Sequence, residues 1–167
     1  MLLTKKLLLL TSALFITGLA SSITHANDLF KYSQPNGSVT ITKTDFPDTT
    51  PLLPPLSIKC PAEGYVLAQA NAGLLLAPVT GFPDVQGGIS LTTDNSEPFA
   101  ADPNHFYSIV QSSQNGTNNA VLPVFIERVV RCKQNQIVRL RFVAWHEFAG
   151  DGSTALSPRM VMQYFPE

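Results

Sequence analysis

The chain has 167 residues, 11 Lys plus Arg against 12 Asp plus Glu, a formal net charge of −1, and only 14% charged side chains. That length allows one ordinary domain and little more once an N-terminal leader is set aside. The sparse, near-neutral charge excludes a polyanion-binding surface, which needs clustered Lys and Arg.

Residues 1–26 read as a secretory signal: Lys5 and Lys6 at the start, an apolar run from Leu7 to about Leu19, and Ile23-Thr24-His25-Ala26 at the end. The apolar run is too short to span a bilayer as a helix. Cleavage is expected after Ala26, where Thr24 and Ala26 supply the small residues; Ala20, with Gly18 upstream, is the alternative. The mature chain then carries a net charge near −3 and no membrane span, and its expected address is the periplasm or the medium.

Residues 27–55 read as a β-hairpin and a Pro-rich linker. Leu29–Tyr32 and Ser38–Thr42 are β-prone runs separated by Pro35-Asn36-Gly37, and Asn-Gly tolerates the positive φ that a tight hairpin turn requires. Pro47, Pro51, Pro54 and Pro55 then deny backbone donors and stiffen the chain.

From residue 56 to 167 longer β-type runs take over. Strands are expected at Leu56–Cys60, Tyr65–Asn71, Leu74–Pro78, Gly88–Thr93, Phe106–Ser112, Leu122–Lys133, Ile137–Glu147 and Arg159–Phe165. Turn formers separate them, among them Gly81-Phe82-Pro83-Asp84, Asp94–Pro98, Asn115-Gly116 and Gly150-Asp151-Gly152. In Ile137–Glu147 the alternation puts Val138, Leu140, Phe142 and Ala144 on one face and Arg139, Arg141, Val143 and Trp145 on the other. Ala68–Gly73 has helical propensity, but its glycine borders and apolar flanks favour a strand. The fold class that follows is all-β, an antiparallel sandwich of jelly-roll type.

Cys60 and Cys132 are the only cysteines, and an even pair in an exported chain reads as a disulfide. Neither lies in a CxxC motif, so the pair is assigned a structural role.

Two resemblances attach to these residues. Leu29-Phe30-Lys31-Tyr32, Pro35–Thr42 and Phe46-Pro47 resemble a small hairpin domain that follows the signal peptide in many proteobacterial envelope proteins, with Tyr32 and Gln34 where members often carry Trp and an acidic residue. That resemblance implies an envelope or secreted address and no assigned chemistry. Cys60-Pro61, Gly64-Tyr65-Val66 and the terminal Ser157–Pro166 are similar to jelly-roll heads of the tumour-necrosis-factor and complement type. This implies a sandwich that often trimerises and binds through its surface. An immunoglobulin-type sandwich competes, but its core Trp should lie between the cysteines and Trp145 follows Cys132.

No GxSxG, SxxK, HExxH or phosphate-cradling glycine loop is present. The richest polar cluster is His146 with Asp151, joined from another loop by His105 and Asp102. On a strand, however, His146 and Glu147 point to opposite faces. No spacing supplies a zinc ligand set, and Asp84 with Asp94–Glu97 reads as turn chemistry before a calcium site. No metal and no cofactor are expected. Arg128, Arg131, Arg139 and Arg141 fall on two runs joined by a short turn; sharing a face with Trp145, they would form a candidate ligand surface. The expectation is therefore a non-enzymatic binding module for an envelope or extracellular protein or glycan, with no nucleic-acid partner. The competing reading is a hydrolase acting on a cell-envelope polymer through carboxylates or His146.

Overall fold

A computed structural model describes residues 29–42, 49–77, 84–93, 107–113, 120–147 and 149–167, with side chains at most of these positions. The signal expected over residues 1–26 lies outside them, as do Asp102 and His105. Ten strands follow in order: β1 (Phe30–Ser33), β2 (Ser38–Thr40), β3 (Thr50–Pro51), β4 (Leu56–Lys59), β5 (Gly64–Ala77), β6 (Asp84–Thr93), β7 (Tyr107–Ser113), β8 (Ala120–Cys132), β9 (Ile137–Glu147) and β10 (Gly150–Pro166). The described residues contain no helix, hence none long and apolar enough to cross a membrane.

The strands form two antiparallel sheets. Sheet A runs β1-β10-β5-β8 with β2 also on β10; sheet B runs β3-β9-β6-β7 with β4 also on β9. After β4 the chain enters sheet A for β5, returns to sheet B for β6 and β7, and then crosses to A for β8, B for β9 and A for β10, a jelly-roll-like sandwich that agrees with the expected fold class. Period-two burial builds the interior. On β5, Val66, Ala68, Ala70, Ala72, Leu74 and Leu76 are buried while their neighbours face outward. Small alanines at the centre of this strand leave room for Phe142 and Leu140 of sheet B and for Met160 and Met162 of β10, all fully buried.

Three expectations are corrected. The Asn36-Gly37 hairpin does not form: β1 and β2 both pair with β10, Phe30 opposite Gln163 and Ser33 opposite Met160, then Ser38 opposite Leu156 and Thr40 opposite Thr154. They are one edge strand, interrupted where Pro35 lacks a donor and Gly37 takes φ +109°. Continuing along β10 partly buries Val39 and sends Ile41 fully into the core, a burial that an isolated hairpin could not offer. Nor do the described residues of 27–55 form a linker, for Leu52 and Leu53 are core residues and β3 pairs with β9. Finally, Tyr65–Asn71 and Leu74–Ala77 are parts of one strand, β5, with Pro78 outside the described residues, and the expected Gly150–Gly152 break lies inside β10.

The disulfide is present. Cys60 leaves β4 in sheet B, Cys132 ends β8 in sheet A, their Cα atoms are 6.4 Å apart, and both are fully buried. The link therefore stitches the two layers together where the 133–136 turn crosses between them. There the Asn135 amide donates to the Cys60 carbonyl at 2.7 Å and the Cys60 amide to the Gln136 carbonyl at 2.9 Å. Such a link also indicates an oxidising compartment.

Candidate functional site

The four arginines do not share a face. The expectation treated β8 and β9 as neighbours because a short turn joins them, but they belong to different sheets. Arg128 points inward and is only 5% exposed, its Nη1 donating to the Leu91 carbonyl at 2.7 Å. Leu91 lies one residue beyond the last β6–β7 pair, so this arginine caps a carbonyl where the ladder stops. Arg131 faces outward from sheet A. There its Nη2 meets Glu63 Oε1 at 3.0 Å and Glu167 Oε2 at 3.3 Å, and these carboxylates, Glu167 first, raise the guanidinium pKa above its ordinary value.

Arg139 and Arg141 lie on the outer face of sheet B with Trp145, in the alternation expected of β9. Trp145 itself is 1% exposed and so offers no stacking surface. Its register partner is Gly88, and a Cβ there would overlap the indole. His146 has the opposite orientation: it lies opposite Gly87, is completely buried, and sits at the end of the core. Asp151 belongs to β10 in the other sheet. His146 therefore lies out of reach of a substrate in solution. Among the described residues no group of three His, Cys, Asp or Glu side chains could hold a metal ion.

What the structure does assemble is the outer face of sheet A. The β-registers place residues in rows across the strands, from β8 through β5 to β10 and the edge strand. One row reads Arg131, Tyr65, Phe165. The next reads Val129, Leu67, Gln163, Phe30, and the third Glu127, Gln69, Val161, Tyr32. Phe30, Tyr32, Phe165 and Val129 are exposed, Phe30 to 49% and Tyr32 to 52%. Both ionised side chains of β8 in these rows already have partners in their own chain, since Gln69 Nε2 donates to Glu127 Oε2 at 2.7 Å beside the Arg131 pairs. This is the aromatic half of the face.

The other half is reshaped by a β-bulge. On β10 the register passes from Leu156 opposite Gly73 to Arg159 opposite Asn71, so β10 uses one residue more than β5. Ser157 takes φ +46° within the bulge. The result is an open cleft of about 470 Å³. Its floor is Gly73; a Cβ there would sit 3.3 Å from Val121 Cγ1 and 3.6 Å from Leu156 Cβ. Pro123 and Phe125 form one wall, with Arg159 and Asn71 along the side nearer the aromatic half.

Of these positions sequence reasoning named Arg131 for a ligand surface, and it named none of those that line the cleft. The available signal was in β8, where Val121, Pro123, Phe125 and Val129 alternate with the buried Val124 and Ile126, so that both faces are apolar. A strand covered by the core on one side only should not look like that.

No protein-family model and no curated protein sequence matches this chain. Among solved structures, dimeric latent PorU from Porphyromonas gingivalis aligns over 81% of this chain at 11% identity and TM-score 0.40, and this chain spans only 12% of that one. Eiger TNF from S. frugiperda aligns over 83% of this chain and 93% of its own, at 10% identity and TM-score 0.41.

Proposed function

We propose that the protein is an exported, non-enzymatic interaction module that associates with a second copy of itself through the aromatic half of the outer face of sheet A. The observation that carries this reading is the contiguous exposure of Phe30, Tyr32, Val129 and Phe165 beside half-buried Tyr65, Leu67 and Val161. Contiguous exposed apolar surface of this kind marks association sites, and interfaces between identical subunits are the more apolar class. Charge argues for a like partner. Glu127 and Arg131 are already satisfied within the chain, so packing this aromatic half on itself brings no unpaired like charges of its three rows together.

Export is supported by the basic, apolar and small-residue order of residues 1–26 and by the disulfide. Cleavage after Ala26 would make Asn27 the new terminus, three residues before β1 begins at Phe30. The destination is the periplasm or the medium.

The test is light scattering coupled to size-exclusion chromatography on the mature, disulfide-intact protein over a wide concentration range. The wild type is expected to run as an oligomer and Tyr32→Asp to run closer to the monomer mass. Hydrolysis of a cell-envelope polymer, abolished by His146→Ala, would replace this reading with the enzymatic one.

A further inference from the structure

The bulge cleft supports an inference that does not depend on self-association. Three features coincide there. A bulge in a central strand, with a serine in left-handed conformation, interrupts the β5–β10 ladder between Leu156 and Arg159, in addition to the register shift between Gly150 and Thr154 at its end. Opposite the bulge stands Gly73, the residue type that leaves the floor lowest. Beside the floor, one row across three strands places Arg159, Asn71 and Phe125 in order. Bulges of this sort recur next to binding sites, where they re-aim side chains.

The chemistry of the rim is asymmetric. Val121, Pro123 and Phe125 of β8 make one end apolar, Phe125 being 56% exposed, and Leu156 of β10 borders the floor at Gly73. At the other end Arg159 is an exposed cation with no ion pair among the described residues, in contrast to Arg131 on the same face. The two ends are two strand spacings apart, about 10 Å between backbones, which the arginine side chain shortens further. A ligand that satisfies both ends carries a carboxylate a few bonds from an apolar group. Because the cleft is open along its length, it suits one side chain better than a long acyl chain, which needs enclosure.

We infer that the Gly73 cleft is a binding site for an apolar amino-acid carboxylate, with Arg159 pairing the carboxylate, Asn71 beside it, and Phe125, Val121 and Leu156 receiving the side chain. A guanidinium is the cation best matched to a carboxylate, through two parallel N–H donors. The apolar end supplies contact area without a counter-charge, so acid and side chain must both be present.

The probe is N-acetyl-glycyl-phenylalanine as the free acid, titrated into the mature protein and followed by amide chemical shifts. Saturable shifts at Gly73, Phe125 and Leu156 are expected, with a dissociation constant of ~1 mM for so small a ligand on an open site. The C-terminal amide of the same peptide should bind at least about tenfold more weakly, the loss typical of a missing charge-assisted pair. Arg159→Gln is expected to bring the acid down to the affinity of the amide, and Gly73→Val to abolish both by filling the floor. Octanoate is the second arm. Tighter binding of octanoate than of the peptide acid would assign the cleft to acyl chains and overturn the inference. Equal affinity for acid and amide, no saturable shift at the three residues, or an unchanged affinity in Arg159→Gln would do the same.

Discussion

Breaking the Cys60–Cys132 link should cost this domain a large part of its stability. The two cysteines are 72 positions apart, and on the chain-entropy relation a loop of that size restricts the unfolded ensemble by about 4 kcal/mol at room temperature. Both sulfurs are completely buried, so replacing both cysteines by alanine also removes packing, adding about 1–2 kcal/mol. A domain of this size is stable by only about 5–15 kcal/mol, so the double variant sits close to unfolding at room temperature. With a urea slope of about 2 kcal/mol/M, the reduced wild type should lose about 2 M in its midpoint and the double alanine variant about 3 M. The assay is urea denaturation followed by fluorescence of Trp145, run on oxidised wild type, wild type under reductant, and Cys60→Ala/Cys132→Ala. The reasoning is refuted if oxidised and reduced proteins share one midpoint, or if thiol titration of unreduced protein under denaturant finds two free cysteines.

Further outcomes follow from single contacts. Gly88→Ala places a Cβ where the indole of Trp145 lies; such overpacking should destabilise by about 1–3 kcal/mol and shift the emission of the single tryptophan. Arg128→Ala leaves the Leu91 carbonyl without its charged donor and should lower stability by about 1.5–3 kcal/mol, measured as a lower urea midpoint. Phe142→Ala opens a cavity at the centre of the core, with an expected loss of about 3–5 kcal/mol that calorimetry would register. By contrast Arg131→Ala removes only exposed pairs with Glu63 and Glu167. It should leave the thermal midpoint essentially where it was, since solvent and salt screen such contacts.

The fold was legible because its rule is local. Period-two alternation in Ile137–Glu147 put Val138, Leu140, Phe142 and Ala144 on one face, and the structure buries all four, along with Val143 and Trp145 of the other face. The disulfide was legible from compartment and count. What failed had a non-local cause. Asn36-Gly37 carries a hairpin signal in its own dihedral preferences, but the free edge of β10 offered partners to both flanking runs, and tertiary pairing prevailed over turn propensity. The arginine cluster failed for a related reason. Residues 133–136 look like a hairpin turn and instead carry the chain from one sheet to the other, so Arg128 and Arg139 occupy different layers. The site on sheet A depends on register across four strands and on one inserted residue at Ser157. Neither is encoded in the spacing of a motif.

The claim on which the functional account rests is that the aromatic half of sheet A is covered by another copy of the chain. Sedimentation equilibrium of the mature protein with its disulfide intact tests it most directly, with Phe30→Asp as the comparison. The account predicts a mass that is a multiple of the monomer and that falls toward one chain in the variant, with the β-rich circular-dichroism spectrum preserved. A single-chain mass for the wild type at the highest attainable concentration would contradict it.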